Sequence, residues 1–281
     1  MANGSNENEK TRFREIAERA AALVPAEPIQ LKFWPDDRRG APNALLRSAL
    51  FSAGKPTNSR RHFKEHTLAV LGPMQIAYTG PQLYQPELDV WLELVHRCRL
   101  RPLGTETEFP VRSFLRALGR STGKSDYKAL VGTFRLLATT LIEVSARDEK
   151  GRVRGYMGHL VDSLEHNEAT GRWRATLNPK IAGLFAPNEH TWLHASARQA
   201  LGRGFLAKWL HGYFSTHQAP LPISVERLQD LSGSSKAQQL RDFRRALRRA
   251  LDEVAAVERA DGRVFAWRLD DEDLVHVTRG R

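Results

Sequence analysis

The segment from residue 236 to residue 254 constrains the fold of this chain most, because it predicts one long helix with two opposite faces. An apolar stripe runs along it at the three- and four-residue spacing of a helix: Leu240, Phe243, Leu247, Leu251 and Val254. Between residues 236 and 249, six Lys or Arg side chains stand against one acid, Asp242. Such a helix must pack its apolar stripe on a core, which leaves an Arg-rich face outside.

The residues on either side of this helix predict a helix-turn-helix followed by a hairpin. A short apolar helix around residues 225–231 ends in a turn of Ser and Gly, and the long helix should begin near Lys236. Two strands are predicted over residues 254–259 and 264–269. They would be joined at Asp261-Gly262, a dipeptide typical of hairpins.

The same order of elements occurs earlier in the chain. A strand at residues 105–109 is followed by a helix that Pro110 can open, a turn of Gly, Ser and Thr, and a longer helix over residues 124–141. Further strands are predicted over residues 141–146, 152–159 and 173–178. This order is typical of winged helix-turn-helix domains, so we predict an α+β, mainly helical fold of two tandem winged-helix domains.

We place the first winged-helix domain, with a preceding linker motif, at residues 30–190 and the second at residues 191–281. Residues 1–29 should form a flexible segment with a short amphipathic helix at residues 12–24. Other predicted elements are a helix over residues 45–51 capped by Asn43, a hairpin of residues 67–71 and 75–79, a helix over residues 88–100 and a helix over residues 205–216.

The charge balance favours a polyanionic partner. The chain has 43 Lys and Arg against 32 Asp and Glu, a formal net charge of +11. This excess points to nucleic acid first and to an anionic membrane surface second. No apolar run approaches the roughly 20 residues that span a bilayer. A single cysteine, Cys98, excludes an internal disulfide framework and a Cys-based zinc finger, so we expect a cytoplasmic protein in a reducing compartment.

Arginine suits a nucleic-acid partner because its guanidinium bonds both phosphates and the O6 and N7 atoms of guanine in the major groove. The predicted DNA-contacting side chains of the second domain are Lys236, Gln238, Gln239, Arg241, Arg244, Arg245, Arg248 and Arg249. Those of the first domain are Lys124, Ser125, Tyr127, Lys128 and Arg135. The arginines predicted to lie on the wings are Arg152, Arg154 and Arg263. The alternative interpretation of the Arg-rich helix is a solvated basic face or a membrane-surface helix.

The sequence does not indicate a catalytic or metal site. The segment from Gly119 to Ser125 resembles a phosphate-binding loop. However, three residues separate its glycines where four are needed, and a helix rather than a strand precedes it. Two pairs of neighbouring histidines have no third ligand at metal spacing. We therefore expect no enzymatic activity, no cofactor and no metal.

Short segments spread over about residues 30–255 carry a family resemblance. The most specific are Trp209-Leu-His-Gly212, Ser215-Thr-His217 and Leu240-x-Asp-Phe-Arg-Arg245. The others, in chain order, are Trp34-Pro-Asp-Asp, Arg39-Gly-Ala-Pro-Asn43, Leu46-Arg-Ser-Ala-Leu-Phe51, Leu88-Asp-Val-Trp-Leu92, Pro102-Leu-Gly-Thr105, Phe114-Leu-x-Ala-Leu-Gly-Arg120, Asn178-Pro-Lys-Ile-Ala182 and Arg198-Gln-Ala-Leu201. In order and spacing, these segments resemble the TrfA family of plasmid replication initiators.

The resemblance implies a protein that binds iterons, the direct repeats of a plasmid origin, as a monomer with two winged-helix domains. It also implies opening of the adjacent A·T-rich duplex and recruitment of the host initiator and replicative helicase. Dimers would serve copy-number control, with the first domain supplying the dimer surface. Two reading helices in successive major grooves would span about 20 bp.

One further partner follows from the resemblance, the host sliding clamp. Family members can bind it through a short peptide that Gln30, Leu31, Phe33 and Trp34 resemble. The alternative for this peptide is that Leu31 and Phe33 pack on the first domain. The alternative for the whole chain is a homodimeric winged-helix transcriptional repressor that reads an inverted repeat. A membrane-surface protein is a third interpretation.

Overall fold

A computed structural model describes residues 30–280, apart from residues 32, 58, 69, 72–73, 148–152, 186–188 and 236–238. The amphipathic helix predicted over residues 12–24 lies outside the described residues, and so do Arg152, Lys236 and Gln238. In the described part of the chain, no helix is both long and apolar enough to cross a membrane.

Runs of strands and pairs of helices follow one another along the described chain. The first half contains β1 (Arg38–Pro42), α1 (Asn43–Leu46), β2 (Phe51–Ser52), β3 (His62–Leu68), β4 (Met74–Pro81), β5 (Leu83–Tyr84), α2 (Gln85–Cys98), β6 (Thr107–Pro110), α3 (Val111–Ala117), α4 (Lys124–Thr139), β7 (Leu141–Arg147), β8 (Val153–His159), β9 (Ser163–Asn167), β10 (Arg172–Thr176), a 3-10 helix (Pro179–Phe185) and β11 (His190–His194). The second half contains α5 (Ala195–Ala200), α6 (Phe205–Ser215), β12 (Ile223–Ser224), α7 (Val225–Leu231), α8 (Leu240–Ala260), β13 (Val264–Leu269) and β14 (Leu274–Gly280).

One arrangement of strands and helices occurs in both halves. In the first, β6 leads into α3 and α4, and the sheet order is β6-β10-β9. In the second, β12 leads into α7 and α8, and the sheet order is β12-β14-β13. In each half the last strand lies between its hairpin partner and the short strand before the helix pair. The predicted order of strand, helix, turn, helix and hairpin is therefore present twice.

The hairpin beside α4 is not the predicted one. β7 and β8 join β3 and β4 in a four-stranded antiparallel sheet of order β3-β4-β7-β8. Strands thus occur where residues 141–146 and 152–159 predicted them, but their hairpin belongs to a different sheet from β6, so the placement of Arg154 on the wing of this winged helix is wrong. β9 and β10 form the hairpin beside α4. The sequence analysis missed β9 because the segment Ser-Leu-Glu-His-Asn holds one apolar residue.

The strand predicted over residues 254–259 is also wrong, because α8 continues to Ala260. Val254 and Glu258 extend its buried side at helical spacing, so the tertiary core favours helix where local β propensity suggested a strand. Asp261-Gly262 ends this helix, and Gly262 has a φ of +74°, a backbone conformation that suits glycine at a helix C-terminus. The observed hairpin pairs β13 with β14.

The helix predicted over residues 45–51 begins at Asn43, with Pro42 rather than Asn43 as its N-cap residue, and ends early, at Leu46. The segment that follows bonds to the second half of the chain. The backbone N–H of Ala53 donates to the carbonyl of Ser232 at 2.8 Å, and the Ser52 hydroxyl donates to the carbonyl of Gly233 at 2.9 Å. Ser232 and Gly233 lie in the turn between α7 and α8. This turn therefore rests directly on the first half.

The described apolar residues form two hydrophobic cores. The first contains Trp91, Phe114 and Phe134, and the second contains Phe214 and Phe243. The expectation that helices predominate is not confirmed, since fourteen strands in five sheets occur among the described residues alongside the helices.

A buried ion network joins the two halves. Asp89 on α2 accepts hydrogen bonds from Arg198 Nε of α5 and Lys208 Nζ of α6, each at 2.7 Å. A second guanidinium nitrogen of Arg198 donates to Gln85 Oε1 at 3.0 Å. Burial alone would raise the pKa of Asp89, but the two cations lower it below its usual range. The carboxylate is therefore ionised and links α2 to both helices that begin the second half.

We predict that Asp89→Asn lowers the free energy of unfolding by about 3 kcal/mol, because it leaves two buried cations without their anion. Urea unfolding of the full chain at pH 7 measures the loss. The matched control is Glu108→Gln, which breaks the half-exposed pair with Arg172 and should cost below about 1 kcal/mol. Equal losses in the two variants would contradict the role given to Asp89.

Candidate nucleic-acid interface

Helix α8 has the two faces that the sequence predicted. Phe243 and Leu247 are buried in the second core, while Arg241, Arg245, Arg248 and Arg249 are exposed. The side chains of Arg241 and Arg245 are 75% and 63% exposed. Asp242 is the one acid near them, at 3.9 and 4.0 Å, which is too long for a hydrogen bond. These arginines are therefore available to an external anion.

The start of α8 adds a polar group to this surface. Gln239 is exposed and is the N-cap residue of the helix. Its carbonyl accepts the backbone N–H groups of Asp242 and Phe243 at 2.9 and 3.1 Å, and its exposed side chain makes no capping hydrogen bond to the helix. An amide in this place has the donor and acceptor that bond an adenine edge.

Arg244 differs from its neighbours because it is held by a carboxylate. Its Nε donates to Oδ1 of Asp273 at 2.8 Å, and its Nη2 donates to Oδ2 of the same residue. Asp273 lies in the turn between β13 and β14, so this pair ties the hairpin to α8. The Arg244 side chain is 30% exposed.

Arg263 lies away from the turn of the hairpin, and its predicted place on a wing is wrong. It directly precedes β13, at the end where Val264 pairs with Gly280, opposite the turn. Its Nε donates to Glu258 at 2.7 Å and its Nη2 donates to Asp261 at 2.8 Å. Arg263 therefore stabilises the C-terminal end of α8.

Glu258 is the buried carboxylate that Arg263 neutralises, and His211 Nε2 lies 3.1 Å from it. Burial alone would raise the pKa of Glu258. Hydrogen bonds and charge from His211 and Arg263 outweigh this effect and lower the pKa to about 2. The three residues link α6, α8 and the start of β13.

The turn between β13 and β14 is acidic, which the sequence analysis did not weigh. It consists of Asp270, Asp271, Glu272 and Asp273. Asp270 accepts hydrogen bonds from the backbone N–H of Leu274 at 2.8 Å and from His276 Nε2 at 2.6 Å. Carboxylates at this tip repel phosphates, so the hairpin of the second half is unsuited to grip a DNA backbone.

Helix α4 carries its predicted contacts on one outer face. Lys124, Ser125, Lys128 and Arg135 are exposed, while the apolar stripe of the helix is buried. Tyr127 is half-buried against His166 of β9, with ring centroids 6.3 Å apart. On the neighbouring hairpin, two arginines missed by the sequence analysis, Arg172 and Arg174, pair with Glu108 and Glu106. Helix α4 thus has three exposed cations, Lys124, Lys128 and Arg135, on the face where α8 has four exposed arginines.

The segment that resembles a clamp-binding peptide is packed against the first core. Leu31 and Trp34 are buried, and the indole N–H of Trp34 donates to Nδ1 of His96 at 3.1 Å. Gln30 donates to the carbonyl of Arg99. Phe33 is 69% exposed, with the Arg99 guanidinium over its ring. A clamp contact through this peptide would require Leu31 and Trp34 to leave the core. Of the alternative, packing on the first domain, the structure shows Leu31 packed as expected and Phe33 exposed.

Comparison with solved structures defines the fold class. The crystal structure of domains 2 and 3 of RctB matches with a TM-score of 0.55 at 11% identity, covering 85% of this chain and 97% of that one. The crystal structure of the Pi initiator protein in complex with iteron DNA matches with a TM-score of 0.49 at 14% identity, covering 69% of this chain and 91% of that one. The first match gives this chain the two-part fold of the RctB domains.

Comparison of sequences identifies the family. The model of the TrfA protein family matches residues 22–279. The plasmid replication initiator protein TrfA of Escherichia coli is 28% identical over 271 residues, which cover 95% of this chain and 67% of that protein. The chain belongs to the TrfA family, which confirms the resemblance seen in its motifs.

We predict that Arg263→Gln lowers the free energy of unfolding by about 1–3 kcal/mol, because it leaves Glu258 with one charged donor fewer. The folded pKa of Glu258, about 2, lies below its ordinary value. Its stabilisation is therefore complete above the ordinary pKa and is lost as the pH falls toward 2. Arg263→Gln should weaken this acid dependence.

Thermal unfolding between pH 2 and pH 7 tests this prediction. The control is Arg259→Gln, which removes an exposed arginine from the last turn of the same helix and should leave the stability unchanged. If Arg263→Gln kept wild-type stability but bound DNA more weakly, the stabilising role of Arg263 would be wrong and the residue would belong to the DNA-binding surface.

Proposed function

We propose that this protein is a plasmid replication initiator that binds the iterons of its origin through two tandem winged-helix domains, residues 30–190 and 191–281. The repeated arrangement of strand, helix pair and hairpin supports two domains of one kind. Helices α4 and α8 are the second helix of each pair, the element that enters the major groove in helix-turn-helix proteins.

The observation that carries this proposal is the exposed arginine face of α8. Arg241, Arg245, Arg248 and Arg249 project opposite the buried stripe, so the helix can lie in a groove without disturbing the core. Arginines that reach base edges would bond O6 and N7 of guanine, and the others would bond phosphates. Gln239 would contact adenine from the start of the helix.

The first half would add weaker contacts from α4. Lys124, Ser125, Lys128 and Arg135 form a face with three cations, which suits phosphate binding more than base reading. The Asp89 network and the turn seated on Ser52 and Ala53 hold the two helices in a fixed relation. A fixed pair of reading helices favours one asymmetric site of about 20 bp, read by a monomer.

After iteron binding, the proposed initiator promotes opening of the adjacent A·T-rich DNA. It also recruits the host initiator, the replicative helicase and the sliding clamp, and self-association through the first half limits copy number. Family membership supports these steps. They require no cofactor, metal or enzymatic activity of the chain itself.

We predict that selection from a random duplex pool at physiological salt yields one asymmetric motif of about 20 bp. Sequencing of the bound fraction measures it. Salt must be held constant, because a protein of this charge binds any DNA when salt is low. A palindromic motif would instead favour a homodimeric repressor, and the absence of a motif would contradict sequence-specific initiation.

We predict that Arg245→Ala weakens binding to the selected site by about 1–3 kcal/mol, because it removes a side chain placed to contact base edges or phosphates. Fluorescence anisotropy with a labelled duplex measures the loss. The control is Arg259→Ala, which removes the same charge from the far end of α8 and should cost much less. Wild-type affinity of Arg245→Ala would show that this face is not the DNA surface.

A further inference from the structure

The pair between Arg244 and Asp273 has an unusual position for a surface ion pair. It joins the proposed DNA-reading helix to the turn of the neighbouring hairpin. Both side chains are partly exposed, 30% for Arg244 and 41% for Asp273. Most exposed pairs contribute little to stability, and bidentate arginine–carboxylate pairs are the exception. Besides any energy it supplies, the bidentate contact fixes the orientation of the guanidinium.

The hydrogen-bond pattern of the pair leaves one edge of the guanidinium free. Asp273 accepts from Nε and from Nη2 of Arg244, which is the side edge of the group. A guanidinium has five N–H bonds in a planar fork. The end edge, formed by Nη1 and the second N–H of Nη2, donates to none of the residues that the structure describes. Two parallel donors of this kind match O6 and N7 of guanine.

Asp273 is itself fixed by backbone contacts. Its φ is +59°, in the left-handed region that Asp and Asn tolerate better than other side chains. Its carbonyl accepts the backbone N–H of Val225 at 3.0 Å, so the residue also contacts the start of α7. The backbone of Asp273 is thus fixed at the start of α7 while its carboxylate bonds Arg244 of α8, which defines the direction in which Arg244 points.

Within the described part of the chain, Arg241 and Arg245 on this face have no carboxylate that holds them in the same way. Arg241 and Arg245 lie about 4 Å from Asp242 without a hydrogen bond, and each is more than half exposed. Flexible side chains of this kind can follow phosphates, whereas base reading requires a fixed direction.

We propose that Asp273 is a positioning residue that orients Arg244 to read one guanine of the binding site. This inference rests on the proposed function, since it assigns a base to one residue of the DNA-reading helix. In this proposal the acidic turn does not contact the DNA backbone. Instead, the carboxylate of Asp273 determines the base preference of α8 by orienting Arg244.

The test compares selected motifs of the wild type, Arg244→Ala, Arg244→Lys and Asp273→Asn. Asn tolerates the positive φ at this position and keeps the volume of the side chain, so the turn is preserved. We expect Arg244→Ala to abolish the preference for guanine at one position of the motif. Asp273→Asn should reduce the preference at that same position about tenfold or more, since an oriented bidentate contact is replaced by a mobile one.

Two further variants separate orientation from charge. Asp271→Asn removes one negative charge from the same turn and should leave the motif unchanged, with at most a uniform rise in affinity for all DNA. Arg244→Lys keeps the cation but lacks the planar fork, so it should lose the guanine preference and keep the salt dependence of binding.

Three outcomes would overturn the proposal. One is an undiminished guanine preference in Asp273→Asn, and another is a loss of affinity in Arg244→Ala that is equal for all sequences. In both cases the proposed function survives if Arg245→Ala still weakens binding. If Arg244→Ala and Arg245→Ala both bind like the wild type, α8 does not read DNA, and the proposed function fails together with the inference. Circular dichroism of each variant verifies that it is folded.

Discussion

The carboxylate of Asp89 is the contact on which the arrangement of the two halves depends. It lies between Arg198 and Lys208, and removing it would leave two cations in a mostly buried place. The hydrogen bonds from Ser52 and Ala53 to the turn between α7 and α8 act in the same interface. A protein with two separate hydrophobic cores can thereby keep one fixed spacing between α4 and α8, which an asymmetric DNA site of defined length requires.

The arginines of this chain have three distinct roles that net charge alone does not separate. Arg198 and Arg263 neutralise buried carboxylates and hold helices together. Arg244 is held from the side by Asp273 and has one edge free. Arg245 and its exposed neighbours are available to phosphates and bases. The number of Lys and Arg residues predicts a polyanionic partner, but it overestimates how many of these side chains are available to bind that partner.

The helices with a periodic apolar pattern could be predicted from the sequence, because the spacing of their own side chains determines which face is buried. The residue spacing of α2, α4 and α7 defines one buried face each, and the structure places these helices within a few residues of the predicted bounds. Local signals failed where a distant partner decided the outcome. The segment after Leu46 is tied to the second half, where Ser232 and Gly233 accept hydrogen bonds from Ala53 and Ser52. Helix α8 continues past Val254, with Glu258 buried beside Arg263 and His211. β9 has almost no apolar pattern and is fixed only by pairing with β10.

Residue type and spacing along the chain were enough to predict the two-faced helix α8, the repeated order of a helix pair and a hairpin, and the excess of basic charge. The motifs were enough to recognise the family. Three features could be known only from the fold: which hairpin shares a sheet with β6, that the acidic turn lies beside α8, and which arginines are already paired. These features depend on contacts between residues far apart in the chain, as between Arg244 and Asp273 or Asp89 and Arg198, and local pattern carries no information about such partners.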